Sequence, residues 1–267
     1  MEVFFGHNTG LGDYILMNGA LRWMLSQDEI SKVVYVAQVT PSKKRHLEAM
    51  YADIINDSKL NMIWEPAGKM FKQQRKKIYA WKKRFPDADM RAWAWNTDRW
   101  RQGMVENELD PDRDCWTQMF YALAKVPYKA RHKNAHISRD RNKEEDLMKE
   151  FDVPQEFVFC ADWGAARHRR YSLNPNTNLP VINPKFHRHL NHKYTMFDWM
   201  GILERASEIY TIDTGWFHLI KTMRLNKPKY LYNVRGDVLR NCATSFYLND
   251  PLDSGWAFID KNNKQLF

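Results

Sequence analysis

Cysteine is scarce in this 267-residue sequence: Cys115, Cys160 and Cys242 stand far apart, in an odd number, with no Cys-x-x-Cys pair. That spacing excludes a disulfide framework and a finger-type zinc site, and buried free thiols are the expectation. Glycine and proline are few, 11 of each, which excludes a collagen-like or linker-like chain. No apolar run approaches the ~20 residues of a membrane helix, so no membrane span is expected. The start, Met1-Glu2-Val3-Phe4-Phe5-Gly6, lacks the basic opening and long apolar stretch of a secretory signal, and a cytoplasmic location follows as the expectation. Repeats at a fixed short period, Ser/Gly linkers and low-complexity tracts are also missing.

What is present is aromatic and basic. The chain has 11 Trp, 12 Tyr and 14 Phe, and 44% of its residues are apolar, enough to build a folded core. Its length allows two small domains or one large α/β unit. The formal net charge is +9, from 41 Lys and Arg against 32 Asp and Glu. Most of this excess lies between Lys69 and Arg101, where eleven bases face only Asp87, Asp89 and Asp98. Trp81, Trp93, Trp95 and Trp100 fall in the same window. Cations interleaved with flat rings suit phosphate attraction and base stacking, so an acidic partner is expected there. The plainer alternative is a solvated amphipathic helix from Lys69 to Phe85 followed by a Trp-anchored loop.

Periodicity predicts alternating strands and helices. Val3 to Phe5 reads as a buried strand and Gly6 to Gly12 as a loop, with a helix beginning near Asp13. Val33 to Val36 and Leu60 to Trp64 read as strands around a helix from Ser42 to Ile55, the rhythm of a doubly wound parallel sheet. The basic window breaks that rhythm, with Asp87 and Asp89 read as solvated loop. A helix from Pro111 to Ala124 with Asp110 as its cap, and a charged helix late in the segment Lys129 to Glu150, complete a first domain of residues 1–145. The second, 146–267, begins with a strand from Phe157 to Cys160 and an irregular polar stretch from Asp162 to His192. A helix capped by Thr195, a strand from Glu208 to Ile212, a helix through Met223 and a strand from Lys229 to Tyr232 follow. The tail is expected to return to the first domain.

Two strand-to-helix loops carry the candidate chemistry, each placing backbone N–H groups at a helix N-terminus where anions are favoured. The first is Thr9-Gly10-Leu11-Gly12-Asp13-Tyr14-Ile15-Leu16, with glycines beside a single carboxylate. It is neither a Gly-x-Gly-x-x-Gly dinucleotide loop nor a nucleoside-triphosphate loop. The second is Asp213-Thr214-Gly215-Trp216-Phe217-His218, at the end of the strand Glu208 to Ile212. The plainer alternative, less favoured for Asp13 and Asp213-Thr214, is that they serve only as helix caps; for His218 an interior histidine is an equal alternative. His168, His187, His189 and His192 resemble metal-ligand material, but their spacing fits no compact site and phosphate contact or plain loop is the favoured reading; no metal or cofactor is expected.

The pair of motifs, a Gly-Asp turn after the first strand and a late Asp-Thr-Gly-x-x-His turn, resembles the heptosyltransferase-type family of GT-B glycosyltransferases. That resemblance implies an α/β fold of two Rossmann-like parallel-sheet domains facing a cleft, and metal-independent sugar transfer from a nucleotide sugar. It implies Asp13 as general base, with Gly12 beside it as a donor-binding residue. Asp213, Thr214, Gly215, Trp216 and His218 would hold the donor diphosphate, with cations drawn from Arg167, Arg169 and Arg170. The chain departs from the family in its short length, in Met17-Asn18 where a proline is common, and in its basic, Trp-rich middle.

That middle directs the choice of acceptor. GT-B enzymes that glycosylate hydroxymethylated bases in bacteriophage DNA need a cationic groove and a base turned out of the helix. On that expectation Lys76, Lys77, Lys82, Lys83 and Arg84 contact phosphates, and Trp93, Trp95 or Trp100 fills or flanks the vacated stack. A phage-encoded protein would then work in the host cytoplasm. A lipopolysaccharide or other glycan acceptor is the alternative, and a non-catalytic DNA-binding protein is a third reading.

Overall fold

The computed structural model describes residues 1–7, 10–66, 80, 81, 83–93, 105, 108, 116–163, 173, 175–185, 192–232 and 255–259. The chain divides into two compact units, Met1–Ser138 and Arg139–Phe267. The first holds β1 (Glu2–His7), α1 (Leu11–Leu25), β2 (Lys32–Val39), α2 (Pro41–Met50), β3 (Leu60–Pro66), β4 (Asp89–Trp93), α3 (Trp116–Leu123) and α4 (Ala130–Lys133). The second holds α5 (Arg141–Glu150), β5 (Val158–Ala161), β6 (Val181–Ile182), α6 (Met200–Arg205), β7 (Glu208–Ile212), α7 (Gly215–Met223), β8 (Lys229–Tyr232) and β9 (Trp256–Ile259).

In the first unit the strand order is β3-β2-β1-β4 and every pairing is parallel. A central parallel strand is covered on both faces, which is why Val3, Phe4 and Phe5 are all apolar and all fully buried. Phe4, Val34, Val36 and Ala88 pack on one face with Trp81, Phe85 and Met90. On the other, Tyr35 stacks on Phe5 with centroids 5.1 Å apart and meets Tyr14 and Tyr51 edge-on at 6.3 and 6.0 Å. Helix α1 is buried around most of its first half, because the sheet lies on one side and α3 and α4 on another. The Tyr121 hydroxyl donates to Leu16 O at 2.8 Å, and Asn18 Oδ1 accepts from His136 N at 3.0 Å. Thr40 caps α2, its Oγ1 accepting from Lys43 N at 3.3 Å, with Pro41 at the first helical position.

The second unit repeats the parallel design with order β6-β5-β7-β8-β9. Phe159, Trp199 and Trp216 meet on one face, and Phe217, Leu231 and Phe258 form a further cluster. Val158, Cys160 and Tyr210 lie on the opposite face, where burial pushes the Cys160 thiol up to about 12. The predicted cap at Thr195 opens a 3-10 turn, Met196–Trp199, that leads into α6; Asp198 Oδ2 accepts from Thr195 N at 2.6 Å.

Several expectations change here. Helix α1 starts at Leu11 rather than near Asp13, with Gly10 as its cap. The basic window is not simply an interruption, since it supplies β4, which pairs with β1. Arg91, one of the eleven bases of that window, is 8% exposed and donates to Asp89 at 2.9 Å; Lys125 donates to the same carboxylate at 2.7 Å. Asp89 is therefore a paired strand residue and not solvated loop. Trp81 lies against the sheet, stacked on Phe85 at 6.0 Å, rather than offering an open ring. The stretch from Asp162 to His192, read as irregular, contains β6. The predicted cap at Asp110, most of the helix Lys69 to Phe85, Cys115, Cys242, His168, His187, His189 and the tail lie outside the described residues.

A Cβ added at Gly19 would sit 2.5 Å from Ala130 O, a backbone atom of α4. Gly19→Ala is expected to lower the unfolding free energy by about 1–3 kcal/mol, seen as an earlier urea midpoint with unchanged slope.

Candidate functional site

In an open parallel sheet, ligands gather outside the carboxyl ends of the strands, where successive connections leave in opposite directions. In the first unit β1 lies between β2 and β4, so this point falls between the ends of β1 and β4. In the second, β5 leads to β6 on one side while β7 leads to β8 on the other, so it falls between β5 and β7. The two motifs leave β1 and β7. Each thus occupies the ligand-favouring position of its own sheet.

Around the first motif, Asp13 is the third residue of α1. Its Oδ2 accepts from Gly10 N at 2.8 Å while its own N–H donates to Gly10 O at 3.1 Å. Gly12 lies in the same first turn. A carboxylate there is doubly favoured, by orphan N–H groups and by the helix dipole. Its position is fixed from the next residue: the Tyr14 hydroxyl accepts from Gln38 N at 2.9 Å and donates to Gln38 O at 3.3 Å, which clamps the start of α1 to the end of β2. Lys43, on the first turn of α2, donates to Gln38 O at 3.0 Å and lies 5.4 Å from the Tyr14 ring centroid. Burial lowers the Lys43 pKa and the Asp13 charge works against that fall, so a cation accompanies the carboxylate.

Around the second motif, Thr214 is the residue before α7. Its backbone is extended and its side chain makes no capping bond. The Thr214 Oγ1 is buried without a hydrogen-bond partner among the described residues. The N–H groups of Gly215, Trp216 and Phe217 open α7, where no preceding turn supplies carbonyls. Trp216 wedges this end against the sheet, its ring 5.4 Å from Phe159 and 6.1 Å from Trp199. His218 is buried, with Nε2 3.7 Å from Asp213 Oδ1 and its ring 5.3 Å from Phe217. Asp213 and His218 therefore form one pair behind the turn.

The predicted cations are less fully placed. Arg167, Arg169, Arg170, Lys76, Lys77, Lys82, Trp95 and Trp100 lie outside the described residues, as does the side chain of Trp93, whose backbone ends β4. Lys83 and Arg84 are exposed, and the Arg84 guanidinium sits 4.9 Å over the Trp81 ring. Sequence reasoning missed Lys43 and also Lys185, whose ammonium meets the buried Asp162 carboxylate past the ends of β5 and β6. Among the described residues no group of three or more His, Cys, Asp or Glu could hold a metal ion. No described helix is long and apolar enough to cross a membrane.

No model of a known protein family matches the chain, and no curated protein does. Solved structures do. A glycosyl transferase family 9 protein from Veillonella parvula DSM 2008 superposes with a TM-score of 0.57 at 10% identity, covering 98% of this chain and 86% of that one. The E. coli ADP-heptose lps heptosyltransferase II gives 0.53 at 13% identity, covering 97% and 90%. The likeness is one of fold. The chain is a mixed α/β protein with two parallel sheets, matching the GT-B-like folds of those glycosyltransferases.

Thr214→Val replaces a hydroxyl that holds no partner among the described residues with a methyl of the same shape. The expected effect on thermal stability is neutral or slightly positive, within about 1 kcal/mol. A loss larger than that would reveal a hidden hydrogen bond.

Proposed function

We propose that the protein is a glycosyltransferase that moves a sugar from a nucleotide sugar to an acceptor hydroxyl. The observation that carries this reading is the pair of turns at the switch points of two parallel sheets. One offers a carboxylate in the first turn of a long helix, and the other a helix N-terminus beside a hydroxyl that is unbonded among the described residues. As the acceptor oxygen attacks the anomeric carbon, its proton passes to the Asp13 carboxylate. The bond from that carbon to the donor diphosphate breaks, and the electron pair leaves on the diphosphate. The N–H groups of Gly215 and Trp216, the Thr214 hydroxyl and the arginines Arg167, Arg169 and Arg170 would receive that charge, in place of a metal ion. Gly12, in the first turn of α1, would add its backbone to the donor-binding residues. Asp213 and His218 set the backbone of the donor turn.

For the acceptor, the reading follows the charge. The excess of bases from Lys69 to Arg101 supports a polyanion, and a hydroxymethylated base in DNA is the acceptor we infer. Lys76, Lys77, Lys82, Lys83 and Arg84 would meet phosphates, and Trp93, Trp95 or Trp100 the space left by the base. The fold-level likeness to a lipopolysaccharide heptosyltransferase favours a second reading, in which the same cations meet an acidic glycan.

A panel of nucleoside diphosphates and nucleotide sugars tests the donor. A true donor at 100 times its Kd raises stability by about 2.7 kcal/mol, and no response to any of them would refute the proposal. With a donor in hand, Asp13→Asn should slow transfer by about 10²–10⁴-fold while leaving donor affinity intact. Duplex DNA binding over a salt series separates the acceptors. Several phosphate contacts give a steep fall in affinity with salt, whereas a glycan acceptor predicts weak binding to DNA with little salt dependence.

A further inference from the structure

From Cys115 to Arg139 the chain carries five Lys and Arg and not one Asp or Glu. Four of the five, Lys125, Lys129, Arg131 and Lys133, belong to the Met1–Ser138 unit. Among the described residues two carboxylates of that unit reach the segment, and each is already shared. Asp89 accepts from Lys125 at 2.7 Å and from Arg91 at 2.9 Å. Asp53 accepts from both arms of Arg22, at 2.7 and 2.8 Å, with His136 Nε2 4.0 Å away. Lys129 and Lys133 are exposed, and among the described residues neither forms an ion pair.

The backbone fixes how these two lysines stand. Lys129 precedes α4 and Lys133 ends it, with Lys133 N donating to Lys129 O at 3.0 Å and Asn134 N to Ala130 O at 2.9 Å. Residues four apart on such a turn share a face, their Cβ atoms ~6 Å apart. The residues between them face inward: Ala130 and Arg131 are buried, and Ala130 O comes so close to α1 that no Cβ fits at Gly19. Tyr128 braces the turn, edge-on to Tyr121 at 5.4 Å, while its hydroxyl accepts from Arg131 at 2.6 Å. Lys125, whose side chain is 60% exposed, adds a third cation in the turn before α4. Like charges four apart oppose a helix by about 0.2–0.5 kcal/mol, and no acid of the segment offsets them. Folding gains nothing from this arrangement, whereas binding an anion would.

The chemistry of the surface selects among anionic partners. Lysine is depleted from the cores of protein interfaces, which favour aromatic rings and arginine. The large apolar side chains exposed among the described residues are Met1, Val105, Trp163 and Val181, and none belongs to this segment, so nothing in it is fitted to enter a lipid surface. A nucleic-acid backbone is bound through cations alone, each phosphate contact releasing a counterion.

We propose that Lys125, Lys129 and Lys133 form a surface that contacts the phosphate backbone of duplex DNA, on the unit that carries Asp13. This rests on the DNA-acceptor reading and adds to the Lys69–Arg101 window a second set of cations, held on a braced turn.

The test measures affinity of the full chain for a labelled duplex between about 50 and 200 mM salt. Each lost phosphate contact flattens the slope of log affinity against log salt by about 0.9. Lys129→Gln/Lys133→Gln is therefore expected to flatten it by about 1.8 with an unchanged or slightly higher melting temperature, and Lys129→Arg/Lys133→Arg to keep the wild-type slope. Lys143→Gln/Lys149→Gln removes the same charge from α5, where acids stand beside the bases, and is expected to leave the slope unchanged. A wild-type slope in Lys129→Gln/Lys133→Gln would overturn the inference and leave the acceptor reading in place. Equal flattening in the α5 variant would also overturn it, by reducing the effect to net charge. Wild-type protein that binds no duplex, whether or not it binds heparin or phosphatidylserine vesicles, overturns the acceptor reading itself, and this surface with it.

Discussion

Parallel pairing of a buried strand on both sides governs everything else in this molecule. β1 is hydrogen-bonded to β2 and β4, and β5 to β6 and β7, so neither strand has an edge or a solvated face. That forces continuous apolar runs such as Val3-Phe4-Phe5 and Val33-Val34-Tyr35-Val36. It also directs every strand-to-helix turn of a sheet to one edge, because parallel strands all end on the same side. Polar residues stand at these edges, Asp13 and Lys43 at that of the first sheet, and Asp162, Lys185 and the turn from Asp213 to Gly215 at that of the second. The core does not choose the reaction, but it decides where a reaction could occur.

Buried polar contacts then give that edge its rigidity. Tyr14 is fully buried, and its hydroxyl both accepts from and donates to the Gln38 backbone. Burial raises its pKa well beyond the phenol range, so it remains a neutral donor and acceptor at any working pH. Asp13, one residue earlier, inherits its placement from that clamp. Trp216 serves the second unit in the same way, locking the start of α7 against Phe159 and Trp199. In both units a large aromatic ring next to the candidate turn ties its backbone to the sheet.

Much of this was legible in the order of residues, and the failures have physical causes. Both glycine-bearing turns were visible because strand, turn and helix signals fall in succession there. The start of α1 was misjudged because Asp13 occupies the third helical position and reaches back to Gly10 N, which imitates a cap residue. β4 was hidden because Asp89-Met90-Arg91-Ala92-Trp93 carries two charges in a basic run; only the Asp89–Arg91–Lys125 pairing makes those charges acceptable at the sheet. β6 is two residues long, too short for any periodicity to register. The Asp162–Lys185 pair joins residues 23 apart in sequence and exists only because β6 lies beside β5. Trp81 shows the opposite error, an aromatic read for its neighbours' charge although it packs on Phe85 and the sheet.

The central claim is that the turn opening α7 receives a diphosphate. Backbone amide NMR during titration with ADP or UDP measures this directly. The account predicts saturable shifts, with the largest at the amides of Gly215 and Trp216, that appear with one of the two diphosphates and not with its nucleoside. Shifts confined to surface lysines, or none at these two amides at saturating nucleotide, would contradict it.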